Sequence, residues 1–437
     1  MVTPSVYSYG GLLIAGIMES VGCNVKVTKK ITDIAGLSIN KGVVCLSLQS
    51  TTDLFRIKNY LRRLKKLQNK LIVAGGPAVQ DPFFASKILS FVNCFVLGEG
   101  DETIVDILHV RKQNELENIK GLAIPQEHDV IITPKREVPE LAGRPFPKIP
   151  ADLKSQFIRG VNVYIETHRG CIGRCTFCQY CSMFGNRIRN RPINDIINET
   201  KYLHAHGIER IAFSGGDASL YGSGVKGMED DFITLLRRAS KIIGNINLGG
   251  PDIRPDSVSL KVLEGVKRFT EGWIFLGIES GSEKILRYIK KNVSLKDIRS
   301  AVELAKECEV SVLGSLMVGF IGESSADFLE TKQLMEELRL SRYSINIVEP
   351  LPTTPYWATV KQTSIEENPL FMPSEQSPFR VKGLTIAEER SMILHDVAHK
   401  IRYGRKMSSQ EFKRRLSIVR KEANRIRKLT LEIKKLG

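Results

Sequence analysis

Cysteine is scarce in this sequence, and long apolar runs are missing from it. Eight cysteines among 437 residues are too few for the disulfide framework of a small secreted domain. No apolar run reaches the roughly 18 residues that a membrane-spanning helix needs. The first residues, Met1 to Ser5, do not resemble a signal peptide. We therefore expect a protein of the reducing cytoplasm that has no membrane partner.

Three of the cysteines lie close together near the middle of the chain. Cys171, Cys175 and Cys178 have the spacing C-x3-C-x2-C. Three thiolates at this spacing can hold three irons of a [4Fe–4S] cube and leave the fourth iron open to another molecule. An open metal position is typical of a catalytic site. The alternative is a zinc knuckle in which His168 or Cys181, each three positions from the motif, supplies a fourth ligand.

The cysteine motif resembles that of the radical S-adenosylmethionine (SAM) superfamily. Phe177 stands directly before the last cysteine, and the predicted strand Val161–Glu166 precedes the motif. The resemblance implies that the three cysteines are the metal ligands and that the open iron chelates the amino and carboxylate groups of SAM. It also implies an electron donor, whose electron leads to cleavage of SAM into a 5′-deoxyadenosyl radical. Tyr180, which follows the motif, is then a candidate active-site residue.

The first 112 residues alternate short apolar runs with helical patterns. Strands are predicted at Val43–Ser47, Leu71–Ala74 and Cys94–Leu97, and helices at Leu12–Glu19, Leu54–Leu67 and Pro82–Leu89. Such alternation indicates a doubly wound, flavodoxin-like α/β domain with buried parallel strands. Ligands of these domains bind beyond the carboxyl ends of the strands, so the loops there are candidate binding sites.

These loops resemble the cobalamin-binding domain that precedes many radical SAM modules, and Gly98-Glu-Gly-Asp-Glu-Thr103 is close to the sequence typical of that position. The resemblance implies cobalamin contacts from Tyr7, Ser8, Tyr9, Ser47, Leu48, Gln49, Gly75, Gly76, Gly98, Glu99 and Gly100. The D-x-H-x-x-G motif that places a histidine below the cobalt is absent, and His109 ends the last predicted helix. We therefore expect cobalamin to bind without a histidine lower ligand. Ordinary turn chemistry is the alternative explanation of these glycine-rich loops.

Residues 156–360 repeat strand–loop–helix units, as in the partial (β/α)6 barrel of the superfamily. The predicted strands are Val161–Glu166, Arg210–Phe213, Asn245–Leu248, Trp273–Ile278, Val310–Met317 and Tyr343–Val348. Polar motifs follow the strands at their carboxyl ends, where barrel enzymes carry their active sites. The loop from Glu349 to Tyr356 resembles the one that closes the barrel mouth.

Several of these motifs resemble the SAM-binding elements of the superfamily. Ser214-Gly-Gly-Asp217 resembles the element whose backbone contacts the amino group of SAM, with aspartate in place of the usual glutamate. Glu279 follows the fourth strand, and a carboxylate can accept both hydroxyls of the SAM ribose. Capping of the next helix is the structural alternative for Glu279. The full set of predicted SAM-binding residues is Gly215, Gly216, Asp217, Arg254, Glu279, Ser280 and Met317.

Two segments flank the predicted barrel. Residues 113–155 are predicted to form a linker with a small hairpin, and residues 361–437 a basic, mainly helical region. Residues 401–437 contain 13 Lys and Arg but three Glu, so they carry most of the net charge of +16. Apolar residues recur at helical spacing from Phe412 to Ile433, which indicates a helix docked on a core. No aromatic residue follows Phe412, which argues against a nucleic-acid partner.

Together, the two resemblances imply a cobalamin-dependent radical SAM methyltransferase. Such an enzyme removes a hydrogen from an unactivated sp3 carbon, and the carbon radical takes a methyl group from cobalt. The segment from Tyr7 to Gly16 and the overall layout resemble the methanogen family that methylates the α-carbon of a glutamine in the catalytic subunit of methyl-coenzyme M reductase. This implies a post-translational modification in methanogenesis, with the basic C-terminal helix as a docking surface for the protein substrate.

Two other functions fit parts of the sequence. A tRNA methylthiotransferase also places an α/β domain before a radical SAM barrel, but it needs a second cluster on three N-terminal cysteines. The cysteines available, Cys23, Cys45 and Cys94, lie in apolar or strand-like surroundings. An iron–sulfur electron carrier or RNA-binding module is the non-enzymatic alternative, which cleavage of SAM would exclude.

Overall fold

The computed structural model describes residues 1–35, 42–60, 70–127, 129–222, 224, 228–374, 378–379 and 381–435. The chain divides into two compact units, residues 1–170 with 182–213 and residues 171–181 with 214–437. None of the helices in the described ranges combines the length and apolar character needed to cross a bilayer.

The elements are numbered in chain order. The strands are β1 Val43–Ser47, β2 Leu71–Gly75, β3 Cys94–Val96, β4 Leu122–Pro125, β5 Val130–Ile132, β6 Val163–Glu166, β7 His168–Arg169, β8 Arg189–Asn190, β9 Ile211–Ser214, β10 Asp252–Ile253, β11 Trp273–Glu279, β12 Ser311–Val318 and β13 Arg342–Ile347. The α-helices are α1 Tyr9–Ser20, α2 Thr32–Ala35, α3 Thr51–Lys58, α4 Pro82–Ile88, α5 Thr103–His109, α6 Gln179–Phe184, α7 Ile193–Ala205, α8 Asp230–Ile243, α9 Leu260–Phe269, α10 Glu283–Tyr288, α11 Leu295–Glu307, α12 Ser325–Leu338, α13 Pro355–Gln362, α14 Ile386–Tyr403 and α15 Ser409–Lys434.

The first unit contains the predicted parallel sheet. Strands β1, β2 and β3 pair in parallel, and Val2 forms single parallel bridges to Thr28 on one side and Leu46 on the other. The spatial order is therefore Thr28, Val2, β1, β2, β3, and the chain order reverses between Val2 and β1. This is the flavodoxin-like order, in which ligands bind at the point of reversal. The three predicted strands are confirmed to within one residue.

The helix predicted at Leu54–Leu67 begins earlier, at Thr51, and its residues 61–67 lie outside the described residues. The early start has a local cause, because Asp53 Oδ2 accepts hydrogen bonds from the backbone N–H groups of Gln49 (3.0 Å) and Ser50 (3.1 Å). Asp53 is the third residue of the helix and Ser50 is its N-cap, so the bond from Ser50 is part of a capping box, which stabilises the helix start.

The predicted hairpin forms between β4 and β5. Its strands continue the N-terminal sheet, because β4 pairs antiparallel with β3. Cys94, Val96, Ile107 and Leu122 share one buried apolar cluster. The hairpin therefore completes the core of this α/β unit.

The second unit is built on a parallel sheet in the order β10, β11, β12, β13. Strands β6 and β9 pair with each other, and up to Phe213 they belong to the first unit. Five of the six predicted barrel strands are confirmed, but the strand predicted at Asn245–Leu248 is wrong. Residues Asn245–Asn247 form a 3-10 turn, and the strand follows at Asp252–Ile253. Asn247 Nδ2 donates to the Ile243 carbonyl at 2.8 Å, so this segment closes the end of α8.

The C-terminal region is helical, as predicted. In α15 the residues at helical spacing, Leu416, Val419, Ala423, Ile426 and Ile433, are buried. Glu422 accepts a hydrogen bond at 3.0 Å from the backbone N–H of Ile347, in β13. The helix is thus docked on the second unit by its apolar face, which leaves many of its basic residues exposed.

Candidate active site

The loop with the three cysteines is fixed by hydrogen bonds to two other segments of the second unit. The Thr176 N–H donates to the Ile289 carbonyl at 2.8 Å, and the Tyr356 N–H donates to the Thr176 carbonyl at 2.9 Å. Gln179 Nε2 donates to the Pro352 carbonyl at 2.8 Å. The segments after β11 and β13 therefore hold the cysteine loop, as expected where carboxyl ends of parallel strands meet.

Aromatic packing joins the same segments. Phe177, inside the cysteine motif, lies 6.5 Å from Phe320 between ring centroids. Phe320 is fully buried and meets Tyr356 edge-on at 5.9 Å. The loops after β12 and β13 thus contact the cysteine motif, in agreement with the sites predicted for SAM.

The three thiols stand in different surroundings. Cys171 is buried, and the Gly173 N–H donates to its sulfur at 3.4 Å. Hydrogen bonds from the Cys181 thiol and from this N–H lower the pKa of Cys171 to about 7. Burial raises the pKa of Cys175, and it raises that of Cys178 to about 11. A Cβ at Gly173 would lie 2.9 Å from Arg254 Nη1, so a side chain there would displace the guanidinium from the loop.

Two cations lie beside the thiols. Arg254 Nη1 is 4.0 Å from Cys175 Sγ, and the guanidinium is oriented by Asp256 (3.0 Å) and by the Lys291 carbonyl (2.8 Å). The charges of Lys291 and Arg254 oppose the effect of burial on the pKa of Cys175. Positive charge beside cysteines favours the thiolate form that metals bind.

The donor set fits an iron–sulfur cube. Within the described ranges no three His, Cys, Asp or Glu side chains converge as ligands of a single metal ion do. The thiolates of a cube bind different irons and therefore surround the cluster instead of meeting at one point. Cys171, Cys175 and Cys178 would hold the cluster. The glycine backbone of the loop leaves room for it, and the nearby cations place positive charge beside it.

Glu279 has a strained backbone and two polar partners. It lies at a register shift between β11 and β12, with a φ of 70°, a conformation that is costly for a residue with a side chain and is often found at functional sites. Its carboxylate accepts from Lys291 Nζ at 3.0 Å and from Ser315 Oγ at 3.2 Å. The helix-cap alternative is wrong, since Ser282 is the cap residue of α10.

Lys291 was not found from the sequence. Burial would lower the pKa of Lys291, but Glu279 and Cys175 raise it by more, so the pKa lies above its ordinary value. This lysine therefore stays charged between the cysteine loop and Glu279. In the sequence, Lys291 is simply a lysine in a polar turn after α10, and many surface turns contain such a lysine.

Replacing Lys291 with methionine is expected to destabilise the protein by roughly 3–5 kcal/mol, because it leaves the buried Glu279 carboxylate without its cation. Urea unfolding measures this change. The double variant Glu279→Gln/Lys291→Met removes both charges and is expected to recover most of the loss. If Glu279 binds the SAM ribose, the double variant folds but binds SAM at least about tenfold more weakly; equal SAM affinity would make Glu279 a purely structural residue.

The other predicted site residues, including the candidate active-site residue Tyr180, differ in burial. Asp217 is buried, accepts from Ser219 and from the Arg254 N–H (3.3 Å), and caps the 3-10 turn that follows it. Gly215 and Gly216, directly before it, are half-buried. Ser280 is fully buried, and its hydroxyl lies 3.0 Å from Thr331 Oγ1. Met317, on β12, and Tyr180, on α6, are half-buried as well. Their roles toward SAM remain predictions.

In the first unit, the three predicted cobalamin loops meet at one edge of the sheet. Ser8 caps α1 and lies 3.3 Å from Ser47 between hydroxyl oxygens. The Leu48 N–H donates to the Gly75 carbonyl at 2.9 Å. Gly76 has a φ of 102°, and a Cβ there would lie 2.6 Å from the Leu48 carbonyl oxygen. These contacts put the loops after Val2, β1 and β2 at the point where the chain order reverses.

Gln80 joins the loop after β3, which contains Gly98, to the loop after β2 and was missed from the sequence. Its Nε2 donates to the Gly76 carbonyl at 3.1 Å, and its Oε1 accepts from the Gly98 N–H at 2.8 Å. Gln49 is exposed at the same edge, whereas Leu48 is buried. Nothing lies within 4 Å of a Cβ built on Gly98, so this loop offers an open stretch of backbone.

The side chains of Tyr7, in the loop after Val2, and Tyr9, at the start of α1, form hydrogen bonds with other parts of the first unit. Tyr7 donates its hydroxyl to Asp152 at 2.6 Å, and Tyr9 donates to Glu199 at 3.1 Å. His109 is exposed at the end of α5. The predicted absence of a histidine lower ligand remains a prediction.

Glu99 belongs to a buried charge network in the first unit. The network consists of Glu99, Asp101, Glu166, Arg144, Arg169 and Arg189. Arg169 binds Asp101 with both terminal nitrogens (2.9 and 3.0 Å) and Glu99 with one (2.5 Å). Arg189 also pairs with Glu99, and Arg144 pairs with Glu166 at 2.7 Å. The Glu99 carboxylate is therefore bound inside the protein, and the predicted contact of this loop with cobalamin remains a prediction.

Comparison with known proteins agrees with this site. The pattern of the Radical SAM superfamily matches residues 165–335. A Methanocaldococcus jannaschii protein that carries a provisional methylthiotransferase name is 37% identical over 90% of this chain and 86% of its own.

Two solved structures share the fold. The radical SAM methyltransferase TsrM from Kitasatospora setae superposes with a TM-score of 0.67 at 15% identity, over 88% of this chain and 79% of that chain; it has also been solved with cobalamin and a [4Fe–4S] cluster. OxsB, a cobalamin-dependent SAM radical enzyme solved with aqua-cobalamin and SAM, superposes with a TM-score of 0.64 at 15% identity, over 82% of this chain and 60% of that chain. From the superfamily pattern around its cysteine loop and the relative that matches most of its length, the chain belongs to the radical SAM superfamily.

Proposed function

We propose that this radical SAM enzyme is a cobalamin-dependent methyltransferase that acts on an unactivated sp3 carbon. The observation that carries the proposal is the meeting of three N-terminal loops at the reversal point of a flavodoxin-like sheet. The same chain carries the three-cysteine loop. TsrM and OxsB, which share the fold, are enzymes with cobalamin.

When bound, the cluster and SAM would supply a radical that removes hydrogen, and cobalamin would supply the methyl group. The chain's own residues position and shield these groups. Cys171, Cys175 and Cys178 would hold the cluster, Arg254 and Lys291 place positive charge beside the thiolates, and Glu279 presents a carboxylate near them. A radical route is needed because an sp3 carbon without an activating group is neither nucleophilic nor acidic enough for direct methyl transfer.

Anaerobic purification after expression with cobalamin is expected to give a visible spectrum with cobalamin bands above the cluster absorption. The variant that tests the site is Gly76→Val, because a side chain at this backbone conformation would collide with Leu48 and disturb the loops at the end of the sheet. Its cobalamin content should fall while its iron content stays near four atoms per chain, about one cubane cluster. Wild-type protein that lacks these bands after reconstitution would remove the methyltransferase proposal.

For the substrate, we propose the α-carbon of a glutamine in the catalytic subunit of methyl-coenzyme M reductase, on the resemblance of the Tyr7–Gly16 segment. A peptide that spans this glutamine should gain one methyl group from SAM labelled in its methyl group. A matched peptide with alanine in place of the glutamine should gain none. Methylation of neither peptide, by enzyme that still cleaves SAM, would reject this substrate and keep the wider proposal.

The name of the Methanocaldococcus jannaschii relative favours a second candidate, a methylthiotransferase. That function needs a second cluster in the N-terminal region. Cys45 and Cys94 are buried in β1 and β3, where burial raises the pKa of Cys45 to about 11 and that of Cys94 to about 12, which disfavours thiolate ligands. Iron counting separates the two candidates, with about four irons per chain for one cluster and about eight for two.

A further inference from the structure

A basic cavity lies in the second unit, at the end of the sheet where its strands begin. The cysteine loop lies at the opposite end, where the strands finish. It has a volume of about 500 Å³ and is lined by the start of β13 and by α14 and α15. Leu313 and Arg342, which pair near the starts of β12 and β13, both line it. Since β12 and β13 are parallel, the cavity faces the strand starts, whereas the predicted SAM residues Glu279 and Met317 lie at strand ends.

The two helices present matching faces to the cavity. His399, Arg402 and Tyr403 come from the last turns of α14, and Arg414 and Arg415 from the first turns of α15. Residues three and four positions apart share one face of a helix. The cavity is therefore formed by one face of each helix, and its basic residues converge from separate parts of the chain.

The cavity carries positive charge that the protein does not neutralise. Among the described residues, no carboxylate lies within 4.0 Å of the guanidinium nitrogens of the four lining arginines, Arg342, Arg402, Arg414 and Arg415. Among the described lining residues the carboxylate is that of Glu411, which is bound by both terminal nitrogens of Arg405, at 2.8 and 2.9 Å, and lies 3.8 Å from His399 Nε2. The Arg342 guanidinium also lies over the Trp273 ring, 5.2 Å from its centroid. Guanidinium groups that line one space without a carboxylate partner create a local positive potential for an anion.

Aromatic rings border the same space. Tyr403 is 55% exposed, and its ring lies 4.6 Å from that of His399 between centroids. The Arg402 guanidinium lies over the Tyr403 ring at 5.2 Å. An exposed aromatic ring beside guanidinium groups offers a flat surface for a planar organic group next to an anion site.

We propose that this cavity binds a phosphate-bearing small molecule of nucleotide size. The planar fork of a guanidinium matches the oxygens of a phosphate. A volume near 500 Å³ is typical of small-ligand sites, and the exposed ring of Tyr403 would receive the base. The site is separate from the proposed methyl transfer, and its ligand would bind whether or not that proposal holds.

Titration calorimetry with ADP and with pyrophosphate tests the site. The wild-type holoenzyme should bind both, and Arg402→Gln/Arg414→Gln should weaken ADP binding by about 100-fold, since charged hydrogen bonds contribute about tenfold or more each. The matched control is Lys400→Gln/Lys413→Gln, which removes the same charge from neighbouring exposed positions outside the cavity. The control should change ADP affinity by less than about threefold, as expected for screened surface charges.

Arg342→Gln, on β13, is a second variant from an independent element and should weaken ADP binding by about tenfold. Circular dichroism checks that each variant is folded. Equal losses in the cavity variant and its control would indicate a general charge effect and overturn the proposal. Failure of the wild-type protein to bind ADP or pyrophosphate, or binding only to an RNA oligonucleotide without a terminal phosphate, would overturn it as well.

Discussion

Replacing Arg169 with methionine is expected to lower the free energy of unfolding by about 3–5 kcal/mol, because removing one partner from a buried ion pair leaves uncompensated charge. The Arg169 side chain is 5% exposed, and those of Glu99 and Asp101 are 4% and 8% exposed. Without Arg169, the charge network has three carboxylates and two guanidinium groups. Urea unfolding followed by circular dichroism measures the loss.

Arg136→Met is the matched control for this change. Arg136 also bridges two carboxylates of the same region, Glu102 and Asp106, but these acids are 57% and 47% exposed. Its loss should cost about 1 kcal/mol or less, as is usual for surface pairs. The double variant Arg169→Met/Asp101→Asn removes one charge of each sign and should recover part of the stability. If Arg169→Met cost no more than Arg136→Met, the network would not be a stabilising element.

Replacing Cys175 with alanine is expected to reduce the iron content from about four atoms per chain to well below one, since a cube held by two thiolates is not retained. Reductive cleavage of SAM to 5′-deoxyadenosine should be lost with it. Metal analysis and chromatography of the SAM products measure the two effects. The same loss is expected for Cys171→Ala and Cys178→Ala.

Cys181→Ala is the control, because Cys181 lies three residues past the motif. Its sulfur lies 2.7 Å from the Gly173 carbonyl oxygen and 3.5 Å from the Cys171 carbonyl oxygen, so it supports the loop without being one of the three ligands. This variant should keep most of its iron. Complete loss of iron in Cys181→Ala, or zinc in place of iron in the wild-type protein, would instead indicate a closed four-ligand site.

The parts of the fold that sequence reasoning predicted are those with a regular apolar period. β1 was predicted with its observed bounds, and the apolar face of α15 from Leu416 to Ile433 is buried. The prediction of the third barrel strand, Asn245–Leu248, was wrong because the Asn247 side chain forms a hydrogen bond with the end of α8. The hydrophobic pattern does not reveal such a local hydrogen bond.

In the candidate active site, too, some features could be predicted from the sequence and others could not. Motif spacing predicted that the cysteine loop and the segments after β11 to β13 come together, and the structure places them in contact. Lys291 and Gln80 were missed because their roles depend on burial and on neighbours far away in the sequence. Glu99 was predicted from its loop, but three-dimensional contacts turn its carboxylate toward Arg169 and Arg189.

The anchoring of the cysteine loop has a consequence for how the enzyme matures. The hydrogen bonds at Thr176 and Gln179 join backbone and amide groups and do not use a thiol. Iron and sulfide delivered to the chain after synthesis would therefore meet a loop that is already ordered, and little conformational entropy would be lost on assembly. Protein stripped of iron should then regain its cluster by chemical reconstitution without a cycle of unfolding and refolding.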